Sequence, residues 1–257
     1  MFDHVLLALK KSRLAALEHG QVRQSGSAGS LFAGDFAGVL SVDSEFSGSR
    51  LGIGVMDNLE GEVISLKGTT WAVPCDGKPR EVAGSDTVAF GIAAHGGIRH
   101  SLRIPAGTDF AGILAALDNT LSRHHIDHED VVCAVEIVGS FEDVVLRTIH
   151  RPDYAGEPLG EIIDDEIRFS FPQWQGTLVG FRYPDATEGM TIPGLHLHGI
   201  SEDRNSGGHV RHVITTSVTA HLWVDDLVLQ TESEGSDKAV SIDFDRYEGP
   251  VGERTQR

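Results

Sequence analysis

The alternation Leu195-His196-Leu197-His198 leaves the backbone little choice. In an extended strand successive side chains point to opposite faces, so two leucines fall on one side and two imidazoles lie side by side on the other. The polar, glycine-ending run from Ser201 to Gly208 reads as a turn, and Val210, Val213 and Ile214 read as a return strand. Such a hairpin brings His209 back towards His196 and His198. Three neutral imidazoles with one coordination position left open form the usual catalytic zinc arrangement. The same pattern also suits polar groups satisfied within a strand, in a chain with 13 histidines, and local spacing does not separate the two readings.

The 257 residues are enough to bury a sizeable core, as one large domain or two modest ones. With 38 acidic against 21 basic residues the formal charge is −17, which disfavours nucleic acid and anionic membrane surfaces as partners. An anionic substrate would have to meet positive charge supplied locally. Cys75 and Cys133 form no CxxC pattern and indicate neither a disulfide framework nor a thiolate metal site, so a reduced cytoplasm is the expected location. Lys10, Lys11 and Arg13 interrupt the first twenty residues, which do not read as a cleaved leader, and no apolar run reaches the length of a membrane span.

Phe2, Val5, Leu6, Leu9, Leu14 and Leu17 recur near helical spacing before Gly20 and predict a short amphipathic helix. A small-residue stretch follows from Ser25 to Gly38, then strands are expected at Gly38 to Val42 and Leu51 to Met56. Asp57 to Gly61 is a turn signal, and Glu62 to Leu66 resumes as a strand, giving a hairpin with a carboxylate just past its turn. Thr70 to Val73 and Thr87 to Ala94 add strands. Thr108-Asp109 is placed to cap a helix on which Phe110, Ile113, Leu114, Leu117 and Leu121 share a face. His124, His125 and His128 near its end read as groups complementing the helix dipole rather than as ligands. Val131 to Val138 and Val144 to Ile149 predict two strands, the second carrying Arg147. Pro152 to Pro158 has the composition of a linker. Beyond it, Gly176 to Tyr183, Leu195 to Ile200, His209 to Val218 and Leu222 to Leu229 predict successive strands, and Val240, Ile242 and Phe244 alternate as if returning to the body.

The expected fold class is therefore α/β, β-rich with α+β character: an N-terminal mixed β-sheet with helices, joined to a C-terminal small β-barrel-like domain. The expected division is an N-terminal extension over 1–24, a sheet-and-helix domain over 25–151, and a β-rich zinc-binding domain over 152–257 whose tail returns to the active site.

The segments Gly176 to Pro184, Glu188 to His198, Ile200 to Arg204 and Gly207 to Val210 together resemble the zinc-binding core of the acetolactate decarboxylase family. Leu31 to Leu40 resembles that family's N-terminal segment, Leu51 to Gly54 with Asn58 to Val63 its first acidic motif, and Gly139 to Thr148 its arginine-bearing segment. The resemblance covers most of residues 25 to 250. It implies Zn2+ held by His196, His198 and His209, and catalytic roles for Glu62, Arg147 and a glutamate near the C-terminus. Asp243 to Gly249 is similar to the family's acidic tail, which favours Glu248, with Glu253 close enough to compete. Two departures stand out. The family commonly has Thr where this chain has Val55, and a bulkier apolar residue where it has Gly199, so a hydroxyl is missing and the site is expected to be wider.

The activity so implied is zinc-dependent decarboxylation of 2-acetolactate, (S)-2-hydroxy-2-methyl-3-oxobutanoate, to (R)-acetoin and CO2, by a cytoplasmic homodimer. Losing CO2 from such a 2-hydroxy-3-oxo acid leaves negative charge on the former ketone oxygen, and the barrier falls if that charge is met as it develops. The permanent, forked charge of Arg147 suits the substrate carboxylate or an enolate oxygen. Glu62 or the tail glutamate suits the stereospecific proton transfer. Glu202, Asp203 and Arg204 read as turn groups that cap the hairpin and orient the imidazoles, and His212 and His221 as non-ligands. Two other classes share the histidines: a zinc hydrolase, which needs a water-activating base but no carboxylate-binding arginine, and a non-catalytic metal-binding β-barrel module.

Overall fold

The structure is a computed structural model that describes residues 21–184 and 194–230. The expected helix from Phe2 to Leu17, the returning strand around Val240 to Phe244, and both tail glutamates, Glu248 and Glu253, lie outside the described residues. The first half carries the strands β1 (Gln21–Ser25), β2 (Leu40–Ser41), β3 (Leu51–Met56), β4 (Glu62–Leu66), β5 (Thr69–Val73), β6 (Arg80–Glu81) and β7 (Thr87–Ala94), with the short helices α1 (Ala28–Phe32) and α2 (Val42–Phe46). The second half carries β8 (Ile98–Ile104), α3 (Phe110–Arg123), β9 (Val132–Thr148), α4 (Leu159–Asp164), β10 (Ile167–Tyr183), β11 (Gly194–Ser201) and β12 (Gly207–Gln230).

The first-half strands pair in the order β1-β7-β3-β4-β5-β6, all antiparallel, with β2 on β7. In the second half β10 lies between β9 and β11, and β12 pairs with both β9 and β11. Those four strands therefore close into a ring, with β8 added on β12. The halves join where β1 runs parallel to the end of β12, from Gln21 opposite Asp226 to Ser25 opposite Gln230. A β-rich sheet with helices joined to a small ring of strands is the fold class that the sequence predicts, but the first-half sheet is antiparallel rather than mixed, the one parallel pairing among the described residues being the β1–β12 seam. The expected boundary at residue 152 falls in the β9–α4 connection, while β9 itself is a member of the ring.

Some elements differ from expectation for physical reasons. The two strands predicted around 131–149 are one, because Asp143 at φ 49 and Gly139 at φ 151 bend β9 without ending its pairing. The two predicted within 209–229 are likewise one strand, kinked by register shifts between Val210 and Ser217. Only Leu40 and Ser41 of the strand expected at 38–42 are extended, since the Ser41 hydroxyl accepts from Ser44 N at 3.2 Å and so starts α2. α4 follows the proline-rich connection, with Leu159, Ile162 and Ile163 buried. For α3 the prediction holds: Asp109 Oδ1 accepts from Gly112 N at 2.8 Å, and Ile113, Leu117 and Leu121 are fully buried against the ring. Each of those three side chains contributes about 1.5–3 kcal/mol of burial free energy.

Candidate metal centre and anion pocket

Register sets the geometry. His198 on β11 is paired with His209 on β12, and His209 is in turn paired with Arg147 on β9, which is paired with Arg168 on β10. Four neighbouring strands thus present a continuous row of cationic or imidazole side chains. His196, two residues before His198, shares its face. On the facing sheet Glu62 opens β4 opposite Val55, the carboxylate placement expected from the hairpin.

Two glycines allow this row to form. A Cβ on Gly180 of β10 would run into the His196 carbonyl oxygen, so only glycine lets β11 approach there. Gly208, immediately before His209, sits at φ 138, and a Cβ on it would run into the Arg147 carbonyl oxygen.

The three imidazoles converge: one nitrogen from each of His196, His198 and His209 lies within 4.8 Å of the others. His198 Nε2 and His196 Nε2 are 3.2 Å apart. A tetrahedral zinc with bonds of about 2.0–2.1 Å spans a nitrogen pair separated by about 3.3 Å. The Val63 carbonyl lies 2.8 Å from His198 Nδ1; when that nitrogen carries the proton and donates to it, the Nε2 lone pair points to its partners. His198 and His209 are buried, at 2% and 0% exposure. Desolvation, followed by nearby charge from His196 and Arg147, holds both imidazoles well below their usual pKa. They are neutral at pH 7, the form that binds a metal. Burial, convergence and neutrality fit this donor set to one divalent ion of zinc's preferences.

Beside the histidines lies an ionic chain. Arg147 Nη1 donates to Glu62 Oε1 at 2.5 Å, and Glu62 Oε2 lies 3.6 Å from His198 Nε2. At its other end Arg147 Nε is 3.4 Å from Glu166 Oε2. Glu62 and Arg147 are 4% and 6% exposed, so both depart from the solvated positions such residues ordinarily take on a turn or a strand surface. They open, with His196 and His198, into a pocket whose other walls are apolar: Leu31 and Phe32 of α1, Leu159 and Ile163 of α4, Val55 and Phe90. The pocket thus holds one buried guanidinium, held by Glu62 within an apolar enclosure, a group suited to a small anion in a chain this acidic.

The sequence-predicted residues fare unequally. Glu62, Arg147, His196 and His198 line one pocket, and His209 adjoins them. Val55 lies on the wall beside Glu62, as its position in the hairpin leads one to expect. The widening expected at Gly199 is not found: a Cβ there would meet Leu178, Leu146 and Trp174 at 3.1–3.3 Å, on the side of β11 away from the imidazoles. Ser201, Asp203 and Asn205 bond one another within the hairpin turn, and Arg204 stacks 5.0 Å above Trp71, which supports the capping role. The contact that orients an imidazole comes instead from the Val63 carbonyl. His212 pairs with Asp143 and His221 with Ser101, outside the cluster. Sequence reasoning missed Glu166 and the two helical walls. Nothing in an Asp-Asp-Glu run or in two single-turn helices distinguishes them from solvated surface.

Comparison with known proteins gives a consistent picture. The family model described as Alpha-acetolactate decarboxylase matches residues 22–234. The alpha-acetolactate decarboxylase of Methanosarcina mazei is 32% identical over 180 residues, and that of Brevibacillus brevis 28% over 180; each match covers 70% of this chain and 61% of the relative. The chain thus spans about three-fifths of the length of those relatives. The crystal structure of alpha-acetolactate decarboxylase from Bacillus subtilis strain 168 superposes with a TM-score of 0.76 at 25% identity, over 89% of this chain and 99% of that one.

Proposed function

This chain belongs to the alpha-acetolactate decarboxylase family, and from that premise we propose that it converts 2-acetolactate to acetoin and CO2, with zinc held by His196, His198 and His209. The observation that carries the reading is the contact of Arg147 and Glu62 with the edge of the imidazole cluster inside one apolar pocket. A zinc hydrolase has no use for that guanidinium, and a mere metal-binding module has no use for the pocket.

In this mechanism Arg147 binds the substrate carboxylate and orients the bond to be broken. When bound, zinc supplies Lewis-acid charge for the ketone and hydroxyl oxygens. The bond between C2 and the carboxylate breaks, CO2 leaves, and the electron pair moves into a C2–C3 double bond with negative charge on the former ketone oxygen. C2 must then gain a proton drawn from solvent water, and Glu62, hydrogen-bonded to Arg147, is one candidate to take up that proton and pass it on. The tail glutamate, Glu248 in preference to Glu253, is the second candidate for this transfer, and delivery to one face gives (R)-acetoin from (S)-acetolactate. The apolar walls exclude water and take the two methyl groups. Among the described residues no helix is long and apolar enough to cross a membrane, and a cytoplasmic homodimer completes the proposal, as the family resemblance implies.

The test is acetoin formation from racemic acetolactate by the purified protein, with and without a chelator, alongside metal analysis. Acetoin that disappears on chelation and returns with Zn2+ is the expected result. A zinc-loaded protein that forms no acetoin overturns the reading.

A further inference from the structure

Of the acidic run Asp164-Asp165-Glu166, the first two side chains face solvent, while the Glu166 side chain turns inwards and is 5% exposed. Its Oε2 lies 3.4 Å from Arg147 Nε; its Oε1 lies 2.5 Å from Arg168 Nε and 3.3 Å from Arg211 Nε. Three strands of the ring, β9, β10 and β12, therefore each send a guanidinium to one carboxylate. A carboxylate at this depth persists only when paired, and one arginine would suffice to neutralise it.

The geometry at Arg147 gives the arrangement a purpose. A guanidinium is planar, with donors on distinct edges. Glu62 holds Arg147 at Nη1 by a hydrogen bond, and Glu166 Oε2 lies 3.4 Å from Nε as an ion pair that is not a hydrogen bond, so the guanidinium plane meets negative charge on two of its edges. Arg147 Nη2 makes no hydrogen bond or ion pair among the described residues and remains for a third anion. Held by Glu62 alone, the fork would pivot about a single contact. Glu166 also stands two residues beyond α4, whose Leu159 and Ile163 form part of the pocket wall. The wall and the anchor of Arg147 are thus one short piece of chain.

We infer that Glu166 is a positioning residue: it fixes the Arg147 guanidinium so that the edge bearing Nη2 faces a substrate carboxylate. The inference rests on the anion-binding role proposed for Arg147.

The test compares Glu166→Gln and Glu166→Asp with the parent, each also in an Arg147→Lys background. Two readouts are used. One is decarboxylation of acetolactate; the other is calorimetric binding of 2,3-dihydroxy-2-methylbutanoate, which keeps the carboxylate and hydroxyl but has no ketone to accept electrons and so cannot react. E166Q is expected to raise KM and the Kd of this probe roughly tenfold, as a small misplacement of a positioning group does, with zinc content unchanged. E166D, which keeps the charge, restores part of the loss. In the Arg147→Lys background the further effect of E166Q falls below about twofold, because the two residues act as one unit. Unchanged probe affinity in E166Q, or a loss of equal size in both backgrounds, overturns the inference. Glu166-dependent probe binding in a protein that forms no acetoin would leave this inference standing and sink the decarboxylase reading; acetoin formation indifferent to Glu166 would do the reverse.

Discussion

The imidazole cluster and the ionic chain beside it reach the same pocket by opposite routes. His196, His198 and His209 belong to one hairpin, within fourteen residues, and their convergence needs only strand alternation and a turn. Glu62, Arg147 and Glu166 come from β4, β9 and the α4–β10 connection, and the Glu62–Arg147 bond alone joins residues 85 apart in sequence. The first group is assembled by local chain geometry and the second by tertiary structure. Locally assembled donors can hold a metal in many unrelated folds, whereas the ionic chain exists only where two β layers are brought face to face. Convergent imidazole donors are therefore the general part of this site, and the buried arginine with its carboxylates is the part that its fold adds.

That contrast can be broken most forcefully at the hairpin. His209→Ala is expected to lose zinc and acetolactate turnover together, by roughly a thousandfold in rate, the scale on which a charge-stabilising group is felt. Zinc stoichiometry by metal analysis decides the matter, and an unchanged value would remove His209 from the ligand set. Arg147→Ala should separate the two groups: zinc stays bound while kcat/KM falls roughly a hundredfold, and stability drops by about 3 kcal/mol because two buried carboxylates lose a partner. Denaturant unfolding with a parallel activity assay reads both, and undiminished decarboxylation would show that the guanidinium is idle. The gentlest perturbation is pH. His198 and His209 stay neutral in the folded protein well below the usual imidazole pKa, while in the unfolded chain they take up protons near pH 6.5. Their contribution to stability is therefore fully present above about pH 6.5 and is lost as pH falls towards their folded values. Metal-free protein should lose up to about 1.4 kcal/mol per pH unit for each of the two histidines. A stability curve of metal-free protein that stays flat from pH 7 to 5 would contradict their burial as neutral groups.

The same contrast explains what the sequence discloses. The alternation at Leu195–His198, the turn to Gly208, the hairpin that carries Glu62 and the capped helix from Phe110 all follow from short-range periodicity, and each is found. The length of β9 and β12 is hidden because a bulge or a positive φ inside a strand has the composition of a turn. Glu62 and Arg147 look like solvated charges until β4 packs against β11 and β12 and brings the two side chains together, and without a family resemblance their roles have no local signature. Glu166 is harder still, since its two acidic neighbours are exposed and only the closing of the ring turns it inwards. α4 is too short for periodicity to speak, so its part of the pocket's apolar wall, Leu159 and Ile163, goes unannounced.

The parallel seam between β1 and β12 bears on the order in which the molecule comes together. Its partners, Gln21–Ser25 and Asp226–Gln230, stand near opposite ends of the described chain, and the strand that closes it is the one that begins with the His209 hairpin arm. Contacts this distant in sequence form slowly, because the loop-closure entropy is lost before any pairing rewards it. On a ribosome the β3–β4 hairpin and α3 are complete long before the third imidazole emerges, and the seam cannot zip until residue 230 is free of the tunnel. The hairpin of the three imidazoles can therefore form before the seam does, and what the seam adds last is the joining of the ring to the sheet that carries Glu62.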